Sequence, residues 1–273
     1  MRRMTDPADW SRAVDPQRRI GHAVEFHTEI GSTNDRARAA LGEAGGEGLA
    51  VVADLQTAGR GRRGRTWISP PGANLLFSVA WRPAMAPRLV GLLGVAASLA
   101  VRDACADLTP DAALAIRWPN DVVDADGRKV AGLLVETALE GGELAEAVVG
   151  IGINVNWLPS EMPEEIAGSA TSLREILASP VDRVALLGRV LDALDAEARA
   201  LDRGETPLVR LRAASWLDGR DVEVDTGAET IMGRAAGIAD DGSLLLDARV
   251  GRIALSVGEV ARVSEPIEVA VPE

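Results

Sequence analysis

A lone cysteine, Cys105, rules out an intrachain disulfide framework and a cysteine-based zinc site. It lies in an apolar stretch, residues 99–108, and is expected to be a buried helix residue. Only two histidines are present, His22 and His27. Neither has a Cys or carboxylate partner at a recognisable ligand spacing, so no metal ligands are named. Net positive charge is missing too. The formal charge is -12, so the surface as a whole repels nucleic acid and acidic membranes. Nor is there an uninterrupted membrane-length apolar run. The longest, residues 89–106, is broken by Arg102 and Asp103. Residues 1–19 are charged and lack the apolar core of a signal peptide. The expectation is a cytoplasmic protein with no membrane or nucleic-acid partner.

Lysine is the scarcest cation. Of 29 Lys and Arg residues one is lysine, Lys129, which leaves 28 arginines. A chain that writes nearly every cation as arginine raises the question of what arginine cannot do at position 129.

What is present is ordinary globular material: 273 residues, 47% hydrophobic and 26% charged. Residues 1–20 are polar and read as a mobile tail. Helices are expected after Asn34, over residues 89–108, 171–178 and 181–202. In the last of these, Val184, Leu187, Leu191, Leu194, Ala198 and Leu201 mark one face. Strands are expected over residues 49–56, 74–81 and 113–118. A hairpin, residues 129–156, turns at Gly141-Gly142. The expected class is α+β, a mixed or antiparallel sheet flanked by helices. After Trp216 short strands alternate with turns, which predicts a small β-barrel of about 45 residues. The expected division is a tail (1–20), a main domain (21–216), the barrel (217–264) and a C-terminal tail (265–273).

The most informative stretch is Gln56-Thr57-Ala58-Gly59-Arg60-Gly61-Arg62-Arg63-Gly64-Arg65-Thr66-Trp67. Glycines let a backbone approach a phosphate closely, and arginine offers a planar fork of donors to phosphate or carboxylate. Gly59, Gly61 and Gly64 have the spacing of a dinucleotide-binding turn. That motif must open a helix, and Ser69-Pro70-Pro71-Gly72 follows instead. A P-loop fails for the same reason, and Arg65 replaces its lysine. An RNA contact runs against the global charge.

With this loop, the motifs Gly31-Ser32-Thr33-Asn34, Trp118-Pro119-Asn120-Asp121, Gly127-Arg128-Lys129-Val130-Ala131-Gly132 with Glu136, and Gly150-Ile151-Gly152-Ile153-Asn154 appear in order. Together they resemble the biotin protein ligases over roughly residues 25–262. The resemblance implies the catalytic fold shared with class II aminoacyl-tRNA synthetases. It implies ATP and biotin as substrates, with magnesium, and a biotin carrier domain of a carboxylase as the acceptor. About 24 residues precede the matched region, so no helix-turn-helix is expected. Monomer and homodimer both stay open.

The resemblance implies that Lys129, Arg62 and Asp121 are catalytic. It places Ser32, Thr33, Asn34, Gln56, Arg60, Gly61, Arg62, Lys129, Gly132 and Leu134 on biotin. It places Arg60, Arg63, Arg65, Trp67, Lys129 and Asn154 on the nucleotide. Each has a plainer reading beside it. Ser32 or Thr33 can be a helix cap, Trp67 a core residue, Asn154 a strand-end turn residue, Asp121 an Asx turn, and Gly132 a bulge. The glycine–arginine loop is expected to be mobile when empty and ordered over the adenylate. A lipoate–protein ligase and a non-catalytic binder of biotinyl-adenylate are the nearest rival functions.

Overall fold

The computed structural model of the protein describes residues 7–264. Strand β1 (Val24–Ile30) leads through helix α1 (Thr33–Ala40) to β2 (Ala50–Gln56), and the two strands pair in parallel. Next come β3 (Leu75–Trp81), α2 (Gly91–Ala106), β4 (Ala115–Arg117), β5 (Asp121–Val123) and the hairpin β6 (Lys129–Glu140) with β7 (Glu143–Ile153). These strands form one mixed sheet in the order β1-β2-β3-β7-β6-β5-β4, antiparallel at every pairing after the first. Helices α3 (Glu164–Ala167), α4 (Leu173–Leu177), α5 (Arg183–Asp202) and α6 (Leu208–Ala214) follow. A second, antiparallel sheet holds β8 (Asp221–Asp225), β9 (Thr230–Ile238), β10 (Leu244–Ala248), β11 (Gly251–Leu255) and β12 (Glu259–Ser264). The expected α+β class holds.

Side chains alternate across a strand, so each face of the main sheet has its own set. Leu75, Phe77, Val79, Leu133, Val135, Val149 and Ile151 point to the face covered by α2 and α5 and share one apolar cluster with Leu93, Leu99 and Leu187. Full burial of each such side chain stabilises the fold by roughly 1.5–3 kcal/mol. Helix α5 buries the face expected from its spacing, and Asp182 caps it by accepting from the N–H groups of Val184 and Ala185. Cys105 sits in this core, and burial pushes its thiol up to about 12, which makes it a packing residue.

The opposite face carries Ser78, Gly132, Leu134, Glu136, Gly150 and Gly152. Helix α1 covers one end of it through Ala37 and Leu41 on Val51, Ala80 and Val148. Beyond α1 the strands offer glycine instead of bulk, and the face stays hollow.

Two expectations are corrected. Part of the 1–20 tail is built into the fold: Pro7–Ala13 forms a 3-10 segment, and Trp10, Ala13 and Ile20 are buried. Trp10 stacks on Phe26 at 5.4 Å between ring centroids, and the Arg183 guanidinium lies 5.5 Å from its ring. Two large apolar anchors, Trp10 and Ile20, outweigh the polar composition around them. Residues 1–6 and the expected tail 265–273 lie outside the described residues. The second correction concerns the barrel. Its strands run β11-β10-β9-β8-β12, and closure would require β11 to pair with β12. The sheet instead lays Val222, Val224, Ala235, Ile238, Leu244 and Leu246 into the same apolar cluster as the main sheet. Its apolar face is covered by the rest of the chain, so it does not have to curl onto itself. Among the described residues, no helix is long and apolar enough to cross a membrane.

Trp10→Ala should therefore cost about 3–5 kcal/mol of unfolding free energy. Urea unfolding followed by circular dichroism measures this, and an unchanged midpoint would show that the N-terminal segment is not an anchor.

Candidate functional site

The hollow end of the sheet forms a cavity of about 440 Å³. Every sequence-derived site residue lines it except Arg63. Its floor is a glycine pair. Gly132 on β6 and Gly152 on β7 are cross-strand partners, and the ring of Trp67 lies against them. A Cβ at Gly152 would come within 2.5 Å of the Trp67 indole, and one at Gly132 within 2.5 Å of Lys129 Cε. Gly132 is thus a close-approach residue. The Trp67 Nε1–H is buried and has no protein acceptor. A polar ligand atom beside the ring would satisfy it.

Lys129 stands at the start of β6. Its main chain is pinned on both sides: its N–H donates to Ser169 O at 2.8 Å, and its carbonyl accepts from Thr171 N–H at 3.0 Å. Asn154 Nδ2 donates to the same carbonyl at 3.2 Å, while its Oδ1 accepts from the buried Asn74 Nδ2 at 3.3 Å. Asn154 therefore holds the lysine's backbone besides facing the cavity. The ammonium donates to Asp121 Oδ1 at 2.6 Å and lies 5.3 Å from the Trp67 ring centroid. Arg117 donates to the other Asp121 oxygen at 2.9 Å. Burial pushes the Asp121 carboxyl up, but Lys129 and Arg117 together hold it below the usual carboxylate range. Asp121 is thus an anion at neutral pH and a weak base. Both its oxygens are engaged by cations, so it is more than a turn-forming Asx residue.

The glycine–arginine loop folds into a small hairpin over the cavity. Arg60 and Thr66 form a bridge, Gly61 N–H donates to Arg65 O at 2.7 Å, and Trp67 N–H donates to Gly59 O at 3.0 Å. Three of its arginines already have carboxylates. Arg60 makes a fork to Asp35 at 2.9 and 2.6 Å, and that hydrogen bond holds Asp35 low. Arg63 pairs with Asp225 at 2.6 Å, and Arg65 with Glu259 at 2.5 Å. Both of these partners belong to the second sheet, so the hairpin is clasped to it. Arg63 faces Asp225 from a left-handed backbone position, φ 54°, and is placed outside the cavity, against the sequence expectation. The loop side chain is carried away because the local chain reverses there.

Arg62 differs. Its side chain lines the cavity and donates to Asn120 Oδ1 at 3.3 Å, with no carboxylate in ion-pair distance among the described residues. Burial pulls its guanidinium down from the usual value. Glu259 and Asp121 act on it only at longer range, which leaves its donors open to an anionic group.

The remaining wall is neutral. Ser32 occupies the N-cap position of α1 but makes no capping hydrogen bond. Thr33 does not cap either: Gln56 Oε1 accepts from its N–H at 2.8 Å, and its hydroxyl meets Ser78 Oγ at 2.7 Å. Ser78 donates to Asn34 Oδ1 at 2.6 Å, and Gly150 leaves the room that Asn34 fills. Leu134 adds apolar surface.

Several lining residues carried no sequence signal. Trp157, Ile166, Ser169 and Ala170 enter from the segment after β7, and Glu259, Val260 and Ala261 from β12. Gly150 and Gly152 were findable: with Gly132 they break the apolar alternation on one face of two paired strands.

The signature of the biotin/lipoate A/B protein ligase family matches residues 30–154, and that of the biotin protein ligase C-terminal domain matches residues 219–263. A biotin–[acetyl-CoA-carboxylase] ligase of Mycobacterium tuberculosis is 38% identical over 246 residues, 87% of this chain and 88% of that protein. The Bacillus subtilis bifunctional ligase/repressor BirA is 33% identical over 238 residues, 85% of this chain and 71% of its own. The biotin protein ligase of Aquifex aeolicus, solved in complex with biotin and ATP, superposes with a TM-score of 0.73 at 30% identity. That match covers 89% of this chain and 99% of the other. On this evidence of sequence, fold and cavity the chain belongs to the biotin protein ligase family.

Proposed function

We propose that the protein activates biotin with ATP as biotinyl-adenylate and transfers the biotinyl group to a lysine of a biotin carrier domain of a carboxylase. The observation that carries this reading is Lys129, held by Asp121 and the Trp67 ring in a cavity with one cationic and one neutral side. The main domain (21–216) holds the chemistry, and the second sheet (217–264) closes over it through the arginine clasp.

In the first step a biotin carboxylate oxygen attacks the α-phosphorus. An O–P bond forms, the α–β bridge breaks, and pyrophosphate leaves with the electron pair. The carboxylate is already ionised at neutral pH, so no general base is needed. What the step needs is neutralisation of crowded anionic oxygens and alignment. One ammonium hydrogen of Lys129 stays on Asp121, and two others are free for the carboxylate and the α-phosphate. Arg62 supplies the second cation. The neutral wall of Ser32, Thr33, Asn34 and Gln56 suits the uncharged ureido ring, and the Trp67 face covers the nucleotide end. In the second step the acceptor amine attacks the acyl carbon, AMP leaves, and the amine proton goes to solvent. Asp121 attracts and orients that amine. Its depressed pKa makes it a poor proton acceptor.

Magnesium comes with the nucleotide in this reading. Magnesium carried by a nucleotide takes phosphate oxygens and water among its ligands. A cytoplasmic location goes with the use of ATP.

Biotin-dependent exchange of labelled pyrophosphate into ATP should be observed, followed by labelling of a carrier domain. Exchange supported by lipoate and not by biotin would overturn the substrate assignment. Lys129→Ala should lower the exchange rate at least about tenfold, equivalent to ~1.4 kcal/mol of transition-state stabilisation. An unchanged rate removes Lys129 from the chemistry. Loosening the clasp with Asp225→Asn and Glu259→Gln together should raise the KM for ATP by about three- to tenfold. Exposed pairs are each worth up to ~1 kcal/mol. A KM within error of wild type would mean that the second sheet does not hold the loop closed.

A further inference from the structure

Glu136 does not line the cavity, yet it touches three residues that bear on it. Its Oε2 accepts from Asn34 Nδ2 at 3.0 Å and from Arg38 at 2.9 Å, and its Oε1 lies 3.5 Å from the Arg60 guanidinium. It stands on the glycine face of β6, two residues beyond Leu134 and opposite Val148.

An ionised carboxylate only accepts hydrogen bonds. It therefore dictates which end of the Asn34 amide faces it, namely the nitrogen. The Asn34 oxygen must then face Ser78, which donates to it at 2.6 Å. With its one proton on Asn34, Ser78 can only accept from Thr33 across their 2.7 Å contact. Gln56 Oε1 is likewise an acceptor, taking the Thr33 N–H at 2.8 Å and sharing with Ser78 the one proton of the Thr33 hydroxyl, which lies 3.0 Å away. The Thr33 proton is thus consumed inside the network. Thr33 is left with lone pairs, and Gln56 with its amide N–H groups. The carboxylate sets the donor and acceptor sense of three neutral side chains in a row, Asn34, Ser78 and Thr33, while the Thr33 main-chain N–H sets that of Gln56.

A cyclic urea carries one carbonyl acceptor flanked by two N–H donors. A wall that offers amide N–H from Gln56 and hydroxyl lone pairs from Thr33 is its complement. Were the Thr33 proton released from the network and turned toward a urea N–H, that contact would pair donor with donor. Asn34 packs against β7 where Gly150 has no Cβ, and a Cβ there would collide with its amide.

We propose that Glu136 is a positioning residue for ureido recognition, acting through Asn34 and Ser78 on Thr33. This rests on the reading of the site as a biotin site. Arg38 and Arg60 flank Glu136 and keep its carboxylate turned toward Asn34. Arg60 is held chiefly by its fork to Asp35, so the loop root does not depend on Glu136.

The test is steady-state exchange kinetics on Glu136→Ala, Glu136→Gln, Asn34→Ala and the double variant Asn34→Ala/Glu136→Ala. Glu136→Ala should raise the KM for biotin about tenfold, with kcat and the KM for ATP within about twofold of wild type. Glu136→Gln, which restores an acceptor oxygen without fixing its orientation, should recover most of that loss, to within about threefold of wild type. The double variant should be no weaker than Asn34→Ala alone, since both act on one chain of hydrogen bonds. An unchanged biotin KM in Glu136→Ala overturns the proposal, as does an equal loss in kcat and both KM values or a multiplicative double variant. If Glu136→Ala does not fold, Glu136→Gln and its double with Asn34→Ala read the same cycle. A wild-type protein without biotin-dependent exchange would remove the biotin reading and the proposal together. An active wild type with insensitive Glu136 variants removes the proposal alone.

Discussion

The ion pair between Lys129 and Asp121, closed at 2.6 Å beneath the Trp67 ring, is the constraint on which the site depends. An ammonium has three donors on one compact centre. Asp121 takes one of them and, with Arg117 on its far side, stays charged. The lysine head is therefore fixed in place before any ligand arrives, and its remaining donors point into the cavity. Fixing it requires its main chain to be pinned as well, which the 169–171 segment and Asn154 accomplish.

Everything else makes room for that arrangement or shields it. The main sheet spends bulk on one face and glycine on the other. Leu133, Val135, Val149 and Ile151 build the core beneath, while Gly132, Gly150 and Gly152 above them leave space for a tryptophan, an asparagine and a lysine. The arginine loop then closes from above, with Asp35 at its root and Asp225 and Glu259 at its tip. Three of its cations are paired with carboxylates of the protein, and Arg62 alone has none in ion-pair distance among the described residues. A loop with all its arginines free would repel itself and bind anions without discrimination.

Much of this was legible in the residues. Periodicity placed α5 and the β6–β7 hairpin, and the loop and Lys129 stood out by composition. The buried segment around Trp10 was not legible, because its anchors are two isolated apolar residues in a polar context. Strand β1 is hard to read for a related reason: in Val24-Glu25-Phe26-His27-Thr28-Glu29-Ile30 the polar residues outnumber the apolar ones, and Glu25 and His27 are half-buried only because they pair with each other and with Arg36. The open second sheet was read as a barrel because strand patterns do not reveal what covers their apolar face. At the site, contributions from β12 and from residues 157–170 depend on tertiary approach and leave no local trace. Arg63 is expected on the nucleotide from the sequence, and the left-handed backbone that turns it out of the cavity leaves no signal there.

The central claim is that position 129 needs a compact cation, with charge alone insufficient. Lys129→Arg measures this most directly, by biotin-dependent pyrophosphate exchange with folding confirmed by circular dichroism. A planar guanidinium over Gly132, between Asp121 and the Trp67 ring, lacks the room to reach two anionic oxygens together. Exchange should fall about as far as it does when the charge is deleted. Near-wild-type exchange in Lys129→Arg would contradict the account.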